Sequence, residues 1–233
     1  MSSKKNFIAI IPARGGSKEI KNKNMKNFLD KPLIFWTIEA ALKSKIVSKI
    51  FLSSDSNKII NLCKKFKKIK IVKRPRRLAT DSTPMLKVLK HIYKTENLKN
   101  FNFNGCILLQ PTSPLRSSED IRKSCKLFEK TKADSLISVV KLDHKYNPES
   151  IFHKRGIFLR KFNNKKNSGL RQLKTPYYSS NGAAIYITSK KHMNKFIVGG
   201  KKIVGYEMPE NKSIDIDNEF DFKIGELIKK YGI

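Results

Sequence analysis

The stretch FIAIIPARGGSKEIKNKNMKNF, residues 7–28, decides the fold of this chain. It opens with the apolar run FIAIIP, which is typical of a strand that is buried on both faces. The run leads directly into an Arg, two Gly, a Ser and then alternating Lys and Asn. Such a loop is either a basic surface turn or a cradle for phosphate groups. A cradle is possible because glycines let backbone N–H groups approach an anion and because Arg and Lys neutralise its charge.

The glycines of this loop match neither of the two common phosphate-binding signatures. The sequence GGSKEIKN does not supply the GxxxxGK[ST] pattern of a P-loop, and no GxGxxG follows the strand. The loop by itself therefore leaves both interpretations open.

Strands and helices alternate along the chain beyond this stretch. The hydrophobic pattern predicts helices at 31–44, 56–66, 85–95 and 117–131, and strands at 49–54, 69–73, 105–110 and 134–142. This alternation predicts an α/β fold with a mostly parallel sheet and helices on both faces. Because ligands bind beyond the carboxyl ends of such strands, we expect the site in the loops at that edge. These loops follow Ile11, Leu52, Ile71, Leu109 and Val140.

The regular rhythm breaks between about residue 143 and residue 180, where turns, Asn, Lys, Gly and aromatic residues replace it. Short strands are predicted within 151–162, and the pattern resumes with strands at 182–188 and 203–209 and a helix at 219–231. With no internal repeat and no long linker, the sequence predicts a single domain, 1–233, with an excursion at 143–180.

The chain is strongly basic, with 50 Lys and Arg against 19 Asp and Glu and a formal charge of +31. Such a charge attracts polyanions, so a basic nucleic-acid-binding protein is one reading of the composition. The lysines are spread along the whole chain, however, and no RNA-binding signature accompanies them. We therefore interpret the charge as a compositional bias and expect no specific nucleic-acid partner.

The three cysteines, Cys63, Cys106 and Cys125, are widely spaced and form no CxxC pair. This usage indicates free thiols in a reducing compartment, so we expect a cytoplasmic protein. No apolar run approaches the roughly 20 residues that span a bilayer, and the start of the chain lacks the pattern of a secretory signal. We expect no membrane partner.

Two further motifs carry polar residues to predicted strand ends. In LLQPTSPLR, 108–116, a strand leads to Gln110 and two prolines, which restrict the backbone and hold the polar side chains in a stiff loop. The alternative interpretation of this segment is a rigid turn before a helix.

The other motif is SIDIDNEFD, 213–221, in which Asp215 and Asp217 alternate around Ile216. In a short strand both carboxylates would point to one face, an arrangement that suits Mg²⁺ held together with water and substrate phosphates. Alternatively, Asp217 or Asn218 is the N-cap of the last helix, and both interpretations can hold together.

Five segments together resemble the acylneuraminate cytidylyltransferases, the CMP-sialic acid synthetase family, in order and spacing over nearly the whole chain. They are IAIIPARGGSKEIKNKN, KRPRRLATDS, LLQPTSPLR, NGAAIYI and SIDIDNEFD. The resemblance implies a Rossmann-like nucleotidyltransferase and a homodimer whose excursion at 143–180 reaches the partner subunit. It also implies the transfer of CMP from CTP to the anomeric hydroxyl of a nine-carbon 2-keto sugar acid, with release of pyrophosphate.

The resemblance also implies roles for individual residues. Arg14 and Lys23 match the family's triphosphate-binding pair, and Asp215 and Asp217 match its Mg²⁺ ligands; we expect these four to be catalytic. The nucleotide-binding set is Ala13, Arg14, Gly15, Gly16, Ser17, Lys23, Asn24, Arg74 and Thr83. The sugar-binding set is Gln110, Arg171, Gln172, Tyr178 and Asn181.

Two departures from the family pattern bear on the substrate. Ser179 and Ser180 replace an Arg-Pro that often precedes NGA, and Glu19 stands where Gly is usual. The first departure makes legionaminic acid or another bacterial nine-carbon analogue an alternative to N-acetylneuraminate. The resemblance to the pseudaminic acid enzymes and to the eight-carbon Kdo enzymes is weaker. A sugar nucleotidyltransferase that uses a different nucleotide is the remaining alternative within the enzyme class.

Overall fold

The computed structural model describes residues 7–17, 19–162 and 175–233. The strands are β1 (Phe7–Pro12), β2 (Asn27–Phe28), β3 (Lys31–Pro32), β4 (Val47–Ser54), β5 (Ile69–Lys73), β6 (Gly105–Leu108), β7 (Ser135–Lys141), β8 (Phe152–Arg155), β9 (Phe158–Lys161), β10 (Tyr178–Ser180), β11 (Tyr186–Ser189) and β12 (Ile203–Glu207). The α-helices are α1 (Leu33–Lys43), α2 (Asn57–Cys63), α3 (Met85–Thr95), α4 (Ser118–Thr131) and α5 (Glu219–Tyr231). None of these helices is long and apolar enough to cross a bilayer.

The main sheet has the strand order β10-β7-β11-β6-β1-β4-β5, with β12 paired to β7. β1 pairs in parallel with β4 and with β6, and β4 pairs in parallel with β5. β11 runs antiparallel to both β6 and β7, which makes β7 parallel to the central strands. The predicted mostly parallel sheet is therefore confirmed, with β10 and β11 as its antiparallel members.

The opening apolar run forms the middle of the core, as its composition predicts. Every residue of β1 is buried. Phe7, Ala9 and Ile11 pack on one face against α1, α2 and α4, whereas Ile8 and Ile10 pack on the other face against α3. Helices thus cover both faces of the sheet, and burial of these side chains stabilises the centre by roughly 1.5–3 kcal/mol for each large residue.

The predicted strand at 182–188 is wrong in its first half. β10 pairs with residues 139–141 of β7 and β11 with residues 135–137, so residues 181–185 leave the ladder between them. Ser138 bridges this interruption, because its hydroxyl donates to Asn181 Oδ1 at 2.6 Å and accepts from Ile185 N at 2.9 Å. The sequence NGAA therefore forms a turn inside an antiparallel strand.

The excursion contains a separate two-stranded hairpin of β8 and β9. Its described residues carry large apolar side chains that lie in solvent, including Ile157, Phe158 and Leu159, which are 86%, 71% and 61% exposed. The prediction of short strands within 151–162 is confirmed. The sugar-site residues Arg171 and Gln172 lie outside the described residues.

Candidate active site

A cleft of about 500 Å³ lies at the carboxyl edge of the sheet, where the loops after the parallel strands meet. Seven of the predicted site residues line it: Arg14, Ser17, Lys23, Asn24, Arg74, Gln110 and Asp217. They come from four separate segments of the chain: the loops after β1, β5 and β6, whose parallel order brings them to one edge, and the segment before α5. The expectation that the site lies at this edge is thus matched by the positions of these side chains.

One side of the cleft, the N-terminal wall, is the loop of residues 13–24 that follows β1. The end of β4 supports it from below, since Ala13 N donates to Ser53 O at 2.9 Å and Gly15 N donates to Asp55 Oδ1 at 3.0 Å. Asn24 closes the loop on itself, because its Nδ2 donates to the carbonyl of Arg14 at 3.0 Å. These bonds fix the backbone from which the Arg14 side chain projects.

The two glycines of this wall, Gly15 and Gly16, differ in the space that surrounds them. A Cβ on Gly15 would lie 2.8 Å from Ser56 Cβ, so the loop passes too close to the start of α2 for any side chain. A Cβ on Gly16 would meet nothing within 4 Å. Close approach therefore explains Gly15, and no contact explains Gly16.

Arg74 closes the back of the cleft and is 4% exposed. Its guanidinium donates from Nη2 to Ser53 O at 2.9 Å and from Nε to Ser53 Oγ at 3.1 Å. Burial lowers the pKa of Arg74 to about 10, with Asp55 opposing the change and the positive charge of Arg14 adding to it. The residue keeps its charge at neutral pH and joins the ends of β4 and β5 beneath the cleft.

The facing side, the C-terminal wall, is the segment of residues 213–218. The predicted short strand around Asp215 and Asp217 is wrong, because this segment forms neither a strand nor a helix. Ile216 holds it in place: its N–H donates to Thr112 O at 2.8 Å, its carbonyl accepts from Lys23 Nζ at 2.6 Å, and its side chain is buried. Both the N–H and the carbonyl of Ile216 are therefore hydrogen-bonded without a partner strand.

The two aspartates of the C-terminal wall therefore face different surroundings. Asp217 is exposed and lines the cleft, with its Oδ1 3.7 Å from Lys23 Nζ. Asn218, not Asp217, is the N-cap of α5, since its Oδ1 accepts from Asp221 N at 2.9 Å in a capping box. This leaves the Asp217 carboxylate available to the cleft.

Asp215 is not among the residues that line the cleft, and it packs against the NGAA turn. A Cβ on Gly182 would lie only 2.1 Å from Asp215 Cγ, and the φ of Gly182 is +69°, so both space and backbone require glycine there. The buried Oδ1 of Asp215 has no hydrogen-bond partner among the described residues. Burial raises the pKa of Asp215 to about 6, with Asp217 adding to the effect and Thr112 and Lys23 opposing it.

The floor of the cleft carries Gln110, whose backbone is held by a buried cation. Arg116 donates from Nη1 to the carbonyls of Ala184 at 2.7 Å and Gln110 at 3.3 Å, and from Nη2 to Thr37 Oγ1 at 2.7 Å. Burial lowers the pKa of Arg116 to about 9. Sequence reasoning missed this residue, although it is the arginine that ends LLQPTSPLR.

Other predicted residues lie outside the lining of the cleft. Thr83 lines a neighbouring basic groove with Arg77 and Lys87. Asn181 is buried, and its amide is engaged with Ser138 and with Ser213 Oγ, the latter at 3.0 Å. The sugar-binding roles of Gln110, Asn181, Tyr178, Arg171 and Gln172 stay predictions.

Tyr178 lies on the edge strand β10 and is 45% exposed. The carboxylate of Glu207, to which its hydroxyl is hydrogen-bonded, raises the pKa of Tyr178. Its aromatic face therefore remains available to a ligand or a partner.

Sequence reasoning also missed two acidic residues of the site. Asp55 follows β4 directly and could have been found by the rule that pointed to the other strand ends. Asp81 lies within the quoted KRPRRLATDS segment, lines the cleft and forms an ion pair with Arg14. Glu19, noted only as a departure from the family pattern, is exposed and lines the same cleft.

Known proteins of one family resemble this chain. The cytidylyltransferase family model matches residues 8–221. The chain is 31% identical to the N-acylneuraminate cytidylyltransferase of Escherichia coli O18:K1:H7 over 96% of its own length, and it spans 52% of that relative. It is 30% identical to the CMP-N,N'-diacetyllegionaminic acid synthase of Legionella pneumophila, with 95% of each protein covered.

Among solved structures, a CMP:2-keto-3-deoxy-manno-octonic acid synthetase complexed with CTP superposes with a TM-score of 0.70. The match covers 98% of this chain and 100% of the other, at 13% sequence identity, so it shows a shared fold. With a family model over most of the chain and a relative of equal length at 30% identity, this chain belongs to the cytidylyltransferase family.

Proposed function

We propose that this protein transfers CMP from CTP to the anomeric hydroxyl of a nine-carbon 2-keto sugar acid and releases pyrophosphate. The observation that carries the proposal is the cleft itself, where Arg14 and Lys23 on the N-terminal wall face Asp217 on the C-terminal wall. Relatives over the full length of the chain are named for this type of reaction with N-acylneuraminate and with a legionaminic acid.

The proposed chemistry needs little from the protein beyond position and charge. When the hydroxyl attacks the α-phosphate in line, negative charge builds on the phosphoryl oxygens and on the leaving pyrophosphate. Arg14 and Lys23 are proposed to bind these oxygens and to stabilise that charge. The N-terminal wall holds Arg14 on a fixed backbone, so little reorganisation is needed during the reaction.

Mg²⁺ is the proposed cofactor, with Asp215 and Asp217 as its protein ligands. Asp217 lines the cleft, and the buried Oδ1 of Asp215 has no partner among the described residues. Within that part of the chain no three acidic, His or Cys side chains group as a metal site, so water and substrate phosphates would complete the shell. When bound, the ion would supply positive charge to the phosphates.

The proposed assembly is a homodimer formed through the excursion. The hairpin of β8 and β9 exposes Ile157, Phe158 and Leu159, a cluster that a second copy of the chain would cover. Sedimentation equilibrium tests this. Replacing Phe158 and Leu159 with Ser should give a monomer, and a wild-type protein that is monomeric at micromolar concentration would refute the dimer.

The proposed location is the cytoplasm. Cys63, Cys106 and Cys125 are all free and buried, as expected in a reducing compartment.

The experiment that tests the reaction follows pyrophosphate release by the purified protein with CTP, Mg²⁺ and separate nine-carbon keto sugar acids. We expect turnover with N-acetylneuraminate or with a legionaminic acid. Thermal shifts with CTP, UTP, GTP and ATP identify the nucleotide independently, and CTP should give the largest. Folded protein that binds CTP but releases no pyrophosphate with any acid would refute the proposed function.

A further inference from the structure

The ion pair of Arg14 and Asp81 lies at the mouth of the cleft. Arg14 follows β1, and Asp81 lies between the 3-10 turn Arg76–Leu78 and α3. Both side chains line the cleft, and they are 33% and 43% exposed. The carboxylate contacts Nη1 of Arg14, one of the groups that a phosphate oxygen would otherwise accept from.

Asp81 differs from the polar residues that support the N-terminal wall. Asp55 and Asn24 bond to backbone groups of the loop, whereas Asp81 contacts the charged head group of Arg14. Within the segment that carries Asp81, Thr80 Oγ1 lies 2.7 Å from Thr83 Oγ1, and the side chain of Asp81 is exposed. Asp81 therefore meets Arg14 from a solvent-facing segment and not from the sheet.

A carboxylate and a phosphate are the same kind of acceptor for a guanidinium, and two anions at one cation repel each other. A triphosphate that reaches Arg14 must displace the Asp81 carboxylate or remain close to its negative charge. Either outcome weakens the binding of every phosphate group that uses Arg14. The leaving pyrophosphate, which carries the most charge for its size, is affected in the same direction.

We propose that Asp81 sets the affinity of the cleft for phosphate groups: it occupies Arg14 in the empty enzyme and weakens the retention of CTP and pyrophosphate. This inference rests on the proposed function for the identity of the ligands. An exposed ion pair makes a small contribution, so we expect removal of the charge to tighten binding by about threefold to fivefold. The effect should be smaller for CMP, which carries one phosphate.

The test measures dissociation constants of CTP, CMP and pyrophosphate by calorimetry without a sugar acid. It compares the wild type with Asp81→Asn, which keeps the size of the side chain and removes its charge. The matched control is Glu119→Gln, because Glu119 forms an exposed ion pair with Arg122 on α4. Asp81→Asn should tighten the binding of CTP and pyrophosphate with and without Mg²⁺, whereas the control should change neither dissociation constant.

The same substitution in an Arg14→Ala background isolates the pairwise effect, and there the tightening should be smaller. Weaker binding in Asp81→Asn would overturn the inference and make Asp81 a residue that orients Arg14. Weaker binding only with Mg²⁺ would instead make it a metal ligand. Equal tightening by Glu119→Gln would show that the effect comes from the net charge of the protein and not from the position of Asp81.

The two proposals fail in different ways. If the wild type binds CTP but converts no sugar acid, the proposed function falls and the calorimetric comparison still decides the role of Asp81. If turnover is observed while Asp81→Asn binds CTP no more tightly than the wild type, only the inference about Asp81 falls.

Discussion

The two walls of the cleft are built in different ways. The N-terminal wall is bonded to the end of β4 through its own backbone, at Ala13 and Gly15. The C-terminal wall has no strand of its own and is held by Ile216 and by the packing of Asp215 against Gly182. The comparison teaches that the cationic side of the site is a fixed part of the sheet, whereas the acidic side depends on a few tertiary contacts.

The largest effect is expected from Asp217→Asn, which removes the exposed charge of the C-terminal wall. Loss of the carboxylate that we propose as a Mg²⁺ ligand should lower kcat by about 100-fold, since each 1.4 kcal/mol of lost transition-state stabilisation is about tenfold in rate. Folding should be unaffected because the side chain lies in solvent. Pyrophosphate release and thermal unfolding measure the two properties.

Glu219→Gln is the control for Asp217→Asn, because it removes an acid two positions away that pairs with Lys26 at 2.5 Å. Its activity should remain near that of the wild type. A normal kcat in Asp217→Asn would reject the metal assignment.

The next effect is expected from Gly182→Ala, which tests whether the packing of Asp215 holds the acidic wall. The new Cβ would displace the Asp215 carboxyl, and a shift of about 1 Å in a reacting group costs on the order of 100-fold in rate. The measurements are kcat and the free energy of unfolding.

Gly156→Ala provides the matched backbone control for Gly182→Ala. Its φ is +62°, close to that of Gly182, but a Cβ there would meet nothing within 4 Å. Both variants should lose stability from backbone strain, and only Gly182→Ala should lose turnover. Equal turnover in the two would contradict the role given to this packing.

The N-terminal wall is tested by comparing Gly15→Ala with Gly16→Ala. The first places a Cβ 2.8 Å from Ser56 Cβ, and overpacking of this kind costs about 1–3 kcal/mol in the free energy of unfolding. The second should change stability by less than about 1 kcal/mol. Urea unfolding measures both, and equal losses would show that close approach is not the reason for Gly15.

The smallest effect is a pH dependence of stability at Asp215. Burial raises the pKa of this carboxyl from 3.8 to about 6, so the folded protein favours the neutral, protonated form of Asp215. Stability from this group is fully present below about pH 4 and is lost as the pH rises towards 6.

In metal-free protein, the free energy of unfolding of Asp215→Asn minus that of the wild type should therefore be larger at pH 8 than at pH 4. The expected increase is about 1–3 kcal/mol. Urea unfolding in a chelating buffer at several pH values measures this. A difference that does not change with pH would contradict the assignment.

The local patterns predicted most of the fold. The helices at 85–95 and 219–231 and the strand at 69–73 have the bounds that the sequence indicated. Their periodicity is strong and their ends carry turn or capping residues. The strand predicted from Gly182 onward failed in its first half, because an apolar run does not reveal that Ser138, far along the chain, bonds to Asn181 and Ile185 and interrupts the ladder there.

The sequence by itself determined the sheet, the edge at which the loops meet and the cations of the N-terminal wall, since these follow from periodicity and from motifs next to strand ends. Only the tertiary structure decided that Asp215 and Asp217 separate, that Gly182 makes room for Asp215 and that Asp81 contacts Arg14. The physical reason is that alternation along a segment fixes side-chain direction only in a regular strand. In an irregular loop that direction depends on which distant groups bond to its backbone, as Thr112 and Lys23 do at Ile216.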